Sequence, residues 1–181
     1  MGLFLVCVMR LDHKMSDEFK EKDSRDILKK QPLISVVTVV FNEADALEKT
    51  IVSVVNQFYK NVELIIIDGG SSDGTLEVIR KYEKDISCWV SESDHGIYDA
   101  MNKGIAIASG RWINFLNAGD SFLNLEVLRK INFNRTEFAV LVGNVKYESG
   151  RDFKSLRHPM MLKNSIHHQG AFYSRKSFND L

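Results

Sequence analysis

The sequence is short of cysteine, of net charge and of long apolar runs, and each shortage argues against a class of protein. Its 181 residues hold two cysteines. Cys7 and Cys88 are too few and too scattered for a disulfide framework or a zinc site, which suits a reducing compartment. Lys plus Arg and Asp plus Glu both number 24, so the formal net charge is zero and nothing in that balance points to nucleic acid. No apolar run is long enough to span a bilayer, and no internal repeat or low-complexity tract is found. Two nucleotide signatures are missing too. No glycine-rich stretch ends in Gly-Lys-Ser/Thr. The glycines from Gly69 to Gly74 have the wrong spacing for a dinucleotide fingerprint and follow the second strand-like run, not the first.

What is present is ordinary for a soluble globular domain: 44% hydrophobic and 27% charged residues. A chain of this length suits one domain and can bury roughly 70% of its unfolded surface. Residues 1–31 read as an N-terminal extension. Its apolar leader MGLFLVCVM lacks a basic region before it and is followed by Arg10 and Asp12, a poor match to a signal peptide. Val6 breaks the myristoylation pattern. The leader reads either as a mis-assigned start or as a loose membrane-surface anchor. The charged stretch 16–31 reads as a solvated helix or arm.

Between Pro32 and Asp120 one event recurs four times. An apolar, strand-like run stops, and a polar residue suited to chemistry follows. Leu33 to Phe41 precedes Asn42-Glu43, and Val62 to Ile67 precedes Asp68-Gly69-Gly70. Ser87 to Ser91 precedes Glu92 and Asp94, and Trp112 to Leu116 precedes Asn117 and Asp120. Short apolar runs bounded by turn residues suit strands buried on both faces.

Helical patterns lie between the runs. Leu47, Ile51, Val54, Val55 and Phe58 share a face, with Asn42 as the expected N-cap and Asp45 in the first turn. Leu76, Ile79 and Tyr82 mark a shorter helix opening near Ser72-Asp73. Ile97, Met101, Ile105 and Ala108 form the third stripe, with Gly110 as its terminator. Gly104 inside that helix costs about 1 kcal/mol relative to Ala, which points to close approach of a neighbouring backbone.

This alternation predicts a doubly wound α/β sheet whose four strands run parallel. Ligands bind such sheets outside the C-terminal strand ends, where strand order reverses. Glu43, Asp68, Asp94 and Asp120 are therefore expected to converge on one crevice. Any one acid alone would read as a turn residue. An acidic crevice is hostile to a bare phosphate. It makes sense where carboxylates accept hydrogen bonds from a base and ribose, or where one holds a divalent cation that screens a diphosphate. Past Asp120, Leu125 to Ile131 predicts a short helix, Phe138 to Tyr147 one or two strands, and 151–163 a basic stretch before His167-His168-Gln169.

The segments QPLISVVTVVFNEADALEKTIVSVVNQFYKNVELIIIDGGSSDGT and SESDHGIYDAMNKGIAIASGRWINFLNAGD closely resemble bacterial family 2 glycosyltransferases of the polysaccharide-building type. The resemblance is strong over Pro32 to Phe122 and weak over His167 to Phe178. It implies a GT-A fold, the nucleotide-diphospho-sugar transferase fold, in which a Rossmann-like, mostly parallel sheet is flanked by helices. Residues 32–122 would be the nucleotide-sugar-binding half and 123–181 an incomplete acceptor-side half of the same domain.

The implied reaction moves a sugar, with inversion, from a nucleotide-diphosphate sugar to a saccharide or lipid-linked acceptor. Its setting would be cell-surface polysaccharide synthesis, such as lipopolysaccharide or capsule, in the cytoplasm or at the inner face of the membrane. The resemblance puts Asn42, Glu43 and Asp68 at the nucleoside, and Asp94 and Asn102 near the ribose and diphosphate. His168 and Gln169 fall on the acceptor or diphosphate side. Asp120 would hold Mg²⁺ or Mn²⁺ jointly with the donor diphosphate. Gly119 and Gly69 stand where many relatives carry an acid. The family's catalytic base is expected beyond Leu181, with His168 and Asp180 as weak candidates within the chain, so activity of this chain by itself is an open expectation. Lys103 reads as a phosphate contact or, more simply, a solvated charge; Tyr98 and Trp89 read as packing. Two alternatives stay open: a catalytically dead nucleotide-sugar binder, and a nucleotidyltransferase.

Overall fold

The computed structural model describes residues 4–7, 31–134, 139–146, 152–153 and 168–178. The β-branched run Ile34–Val40 (β2) is buried along its whole length, which lets it sit at the centre of a sheet. Its alternating side chains feed two cores. Ile34, Val36 and Val40 pack with Leu47, Ile51 and Val54 of helix α1 (Ala44–Val55) on one face. Val37 and Val39 pack with Ala100 and Met101 of helix α3 (Ile97–Ile107) on the other. A strand buried on both faces reads as a continuous apolar run because both sides of its pleat are dry.

The remaining strands are β1 (Phe4–Cys7), β3 (Val62–Asp68), β4 (Cys88–Ser91), β5 (Trp112–Phe115), β6 (Val140–Val142), β7 (Val145–Lys146), β8 (Asp152–Phe153) and β9 (Ala171–Ser174). A short helix α2 (Thr75–Lys81) joins β3 to β4. Seven strands form one sheet in the order β1-β4-β3-β2-β5-β9-β6, and β7 pairs with β8 separately. Strands β4, β3, β2 and β5 are parallel, as expected. The chain runs outward from β2 through β3 to β4 and then returns to place β5 on the other side of β2. The switch in strand order therefore lies between β2 and β5. The register puts Val40 beside Asp68 and Asp68 beside Ser91, so three strands end abreast.

The outer strands depart from the parallel pattern. β9 is antiparallel to β5 and β6 is antiparallel to β9, which closes that side of the sheet. Phe133 seals it: its ring stands edge-on to Tyr59 and Phe172, with centroids 5.6 and 5.1 Å away. Its carbonyl accepts the Trp112 indole N–H at 2.9 Å. At the other edge Phe4–Cys7, read from sequence as part of an extension, pairs antiparallel with β4. The charged stretch 16–30 lies outside the described residues, as do most of the basic stretch at 151–163, His167 and Asp180.

Several local expectations are corrected. Asn42 does not cap α1. It sits at φ 52°, a left-handed conformation that Asn tolerates, and its amide oxygen accepts the Ser72 N–H at 2.8 Å. Glu43 occupies the cap position without a side-chain bond, and Asp73 satisfies the Ala44 N–H from outside at 3.1 Å. The third stripe holds at Met101 and Ala108, which are buried, and at Ile105, which packs against the same core, but Ile97 is half exposed and Ala100 and Gly104 join the buried face. A Cβ on Gly104 would run into the Val37 side chain rather than a neighbouring backbone. Gly110 lies past the end of α3, and a Cβ there would stand 2.6 Å from the Ser35 backbone nitrogen. Between Leu125 and Ile131 only Leu128–Lys130 is helical, as a single 3-10 turn.

Candidate functional site

The C-terminal ends of the parallel strands build the site in two connected parts. The first lies over β2, β3 and β4. Asp68, the last residue of β3, is completely buried. Its oxygens accept the Ser71 N–H at 3.2 Å, the Ser71 hydroxyl at 2.5 Å and the Ser91 hydroxyl at 2.6 Å. The Ser71 hydroxyl oxygen in turn accepts the Asn42 N–H at 2.7 Å. Asp68 thus ties together the turns after β2 and β3 and the end of β4. Its carboxylate faces protein donors on the sides the structure describes and presents no surface to a ligand. This differs from the expected direct contact with a nucleoside.

Beside it Phe41, Gly69 and Asp94 come together. A Cβ on Gly69 would stand 2.7 Å from Asp94 Oδ2 and 3.3 Å from Phe41 Cδ2. Asp94 therefore fills the space into which a side chain at position 69 would project, which accounts physically for the glycine there. Asp94 is half-buried, and its other oxygen accepts the Gly96 N–H at 2.8 Å. Phe41 is 60% exposed, an apolar ring left in solvent beside a carboxylate.

The second part lies over β2 and β5. The loop after β5 is clamped onto α1 by a buried hydroxyl. Thr50 donates to the Asp120 carbonyl at 2.7 Å and accepts the Gly119 N–H at 3.0 Å. Gly119 adopts φ 89°, a conformation glycine enters without a Cβ penalty. So the residue that stands in place of an acid has a backbone reason to be glycine.

The clamp presents Asp120 to three groups far away in sequence. Burial raises its pKa from the ordinary aspartate range; a hydrogen bond from the Gln169 side chain and the nearby His168 lower it in part, and Glu43 raises it further. Asn117 Nδ2 donates to His168 Nε2 at 3.3 Å. Glu43, Asp120, His168 and Gln169 therefore lie together, whereas the four acids expected in one crevice are divided: Glu43 and Asp120 stand here, and Asp68 and Asp94 stand over β3 and β4. A cavity of about 1150 Å³ opens beside them, with Lys49, Asp120, Lys146 and Gln169 among its walls.

The donor set at Asp120 offers oxygen ligands of the kind a divalent cation takes. Asn117 Oδ1 and Gln169 Oε1 are buried without a partner, so two hard oxygen acceptors adjoin one carboxylate. Hard oxygens suit Mg²⁺ or Mn²⁺. Yet among the described residues no group of three or more His, Cys, Asp or Glu could hold a metal. The residues fit a cation shared with a ligand's own oxygens.

Other expected residues fall elsewhere. Asn102 is exposed on α3, and no described contact joins it to either part. Lys103 is an ion-paired rather than a simply solvated charge. It pairs with Glu92 at 2.8 Å and Asp99 at 3.3 Å, and these partners raise its pKa, Glu92 foremost. Trp89 is packed as expected, but Tyr98 is 79% exposed near the start of α3. The strand-ending pattern in the sequence assigns no role to Phe41, Ser71 or Thr50, and Asn117 stands out there only as a polar residue that follows a strand. A serine three residues past a strand-ending aspartate is a usable signal for Ser71. Thr50, inside a helical stripe, carries no such signal.

Three kinds of likeness accompany this geometry. The family described as glycosyl transferase family 2 matches residues 35–180. An uncharacterised glycosyltransferase of Mycobacterium tuberculosis is 44% identical over 98 residues, covering 54% of this chain and 37% of the relative. A PGL/p-HBAD biosynthesis glycosyltransferase of Mycobacterium bovis is 29% identical over 161 residues, covering 83% of this chain and 62% of the relative. The chain thus spans less than two thirds of either relative. Among solved structures, S. aureus TarS 1–349 superposes with a TM-score of 0.67 at 18% identity, over 82% of this chain and 48% of that one. A mannosyltransferase from Pyrobaculum calidifontis, solved with GDP-Man and Mn²⁺, gives 0.59 at 19% identity, over 82% and 46%.

Proposed function

The chain belongs to glycosyl transferase family 2 and has a GT-A fold, and on that footing we propose that it takes a sugar from a nucleoside-diphosphate sugar and transfers it, with inversion, to a saccharide or lipid-linked acceptor. The supporting observation is the meeting of Glu43, Asp120, His168 and Gln169 at the strand-order switch. One polar cluster there faces a cavity large enough for a second substrate.

The nucleoside is assigned to the first part of the site. Its base lies against the exposed Phe41 ring, and Asp94 accepts hydrogen bonds from base or ribose. Asn42 and Asp68 act by holding the turns that carry Phe41 and Gly69. Rigid turns matter because a pocket that needs no reordering loses less entropy on binding. The diphosphate extends toward Asp120. A divalent cation bound with it would supply the positive charge that stabilises the leaving nucleoside diphosphate. Asp120, Asn117 and Gln169 are the residues that would hold that cation.

Inversion needs a base opposite the leaving group. His168 is poorly suited, because its ring is held by Asn117 at 3.3 Å and lies beside Asp120, on the side assigned to the leaving diphosphate. We assign the base to residues outside the described ones. A relative is named for PGL/p-HBAD biosynthesis, and with the family resemblance this favours a biosynthetic transfer, which we assign to the cytoplasm, to a cell-surface product. Among the described residues no helix is long and apolar enough to cross a membrane.

The test combines calorimetry with acceptor-dependent nucleotide release. Expected are weak Mn²⁺ binding alone and clear binding once a nucleoside diphosphate is present. Tight Mn²⁺ binding to the bare chain, or no binding of UDP or GDP with Mn²⁺, would overturn the assignment. Nucleotide binding with no release from any sugar nucleotide would leave a binding module.

A further inference from the structure

The far end of α1 and the loop that follows the Asp120 clamp form one surface. Gln57, 1% exposed, bonds Ser53 O at 3.1 Å, Asn124 O at 2.7 Å and the Leu128 N–H at 3.2 Å. The Phe58 N–H donates to Leu125 O at 2.8 Å. This buried amide clasp leaves four large apolar side chains in solvent: Val52 38%, Phe58 51%, Leu123 72% and Leu125 43% exposed. Nothing in the core requires them there.

The charge around them is one-sided. Lys49, Lys60 and Arg129 are exposed, and none makes an ion pair among the described residues. Lys130 is paired with Glu126 at 2.9 Å. Of the acids on these elements, Glu48 is paired with Lys81 and Glu126 with Lys130, and Asp45, in the first turn of α1, makes no ion pair among the described residues.

We propose that this face docks on an anionic bilayer surface. Apolar side chains enter the headgroup–acyl boundary while lysine and arginine stay at the phosphates, a division both kinds of side chain favour. Charge complementarity selects anionic lipid over a second, equally basic copy of the same face. Leu123 and Lys49 also line the cavity beside Asp120. Docking therefore turns the cavity mouth to the bilayer, and only this last consequence rests on the proposed transfer reaction. A lipid-linked acceptor then enters without leaving the interface.

The experiment is co-sedimentation of the 181-residue chain with vesicles of phosphatidylglycerol and phosphatidylcholine, against phosphatidylcholine alone. It is run at about 0.1 and about 0.5 M salt. Binding to the mixed vesicles, weakened by salt, is expected. Phe58→Asp with Leu123→Asp should lower it at least about tenfold, as should Lys60→Glu with Arg129→Glu. Lys84→Glu, on another surface, should not. Circular dichroism checks that each variant is folded. Nucleotide calorimetry on the same variants, expected to be unchanged for Lys60→Glu with Arg129→Glu, separates a failure of docking from a failure of the donor site. Absence of binding to anionic vesicles, or equal binding by wild type and patch variants, overturns the proposal. So does loss of self-association in the ultracentrifuge without any vesicle binding, which would make a second copy the occupant.

Discussion

Replacing Asp68 by alanine should loosen the nucleotide half without unfolding it. The carboxylate is fully buried and accepts from the Ser71 N–H, the Ser71 hydroxyl and the Ser91 hydroxyl. A hydrogen bond to a charged group contributes about 1.5–3 kcal/mol, so the three together sum to about 4–9 kcal/mol. Against this, alanine carries no buried charge, whose desolvation costs several kcal/mol. The net loss should be about 2–4 kcal/mol, within the ~5–15 kcal/mol stability of a domain. Asp68→Asn keeps one acceptor oxygen, and the Ser91 hydroxyl can turn to accept, so it should lose about 1–2 kcal/mol. Urea unfolding measures both. Nucleotide affinity should fall with them, since Ser71 also accepts the Asn42 N–H. The reasoning fails if Asp68→Ala has the wild-type urea midpoint yet loses nucleotide binding. Asp68 would then be a direct nucleoside ligand, as its place in the sequence first suggests.

Other outcomes follow from the same contacts. Burial raises the pKa of Asp120 above the ordinary value of 3.8. Its contribution to stability is therefore fully present below that value and lost as pH rises through the folded pKa. Metal-free Asp120→Asn should melt higher than wild type near neutral pH, and a series of melting curves should show the gap closing toward about pH 4. Gly104→Ala gains about 1 kcal/mol of helix propensity but overpacks against Val37 at a cost of about 1–3 kcal/mol. Urea unfolding should show net destabilisation, relieved in part by adding Val37→Ala; an alanine variant more stable than wild type would contradict the contact. Asp73→Ala removes the bond to the Ala44 N–H at the start of α1 and the bonds to Thr75 and Gly74 at the start of α2. It should lower the urea midpoint by the same measurement, and an unchanged midpoint would contradict the capping role.

Local pattern was enough for the element order, the parallel core and the positions of the acids. Period and composition report what each segment buries, and these segments bury it against covering layers whose identity hardly matters. The four strand-ending carboxylates were legible for the same reason: a dry run must stop where a polar residue meets solvent or ligand. Linear order also placed His168-Gln169 near the site through resemblance to a family, though spacing alone could not have done so.

What each polar group faces was decided only by the fold. Asp68 and Asp94 end neighbouring strands in like fashion, yet one is sealed under serines and the other stands over a glycine. Asp73 looks like a cap for its own helix and also caps another. Lys103 looks solvated and is paired twice. Tyr98 looks like packing and stands in water. Sequence determines these side chains' chemistry, and hence what each can donate, accept or bury. A hydrogen bond or ion pair, however, needs its partner within about 3–4 Å. For Asp68 and Asp73 a deciding partner lies 23 and 29 positions away, and Lys103 reaches off its own helix to Glu92 as well as to Asp99 one turn away, so the chain's path in space brings these groups within reach.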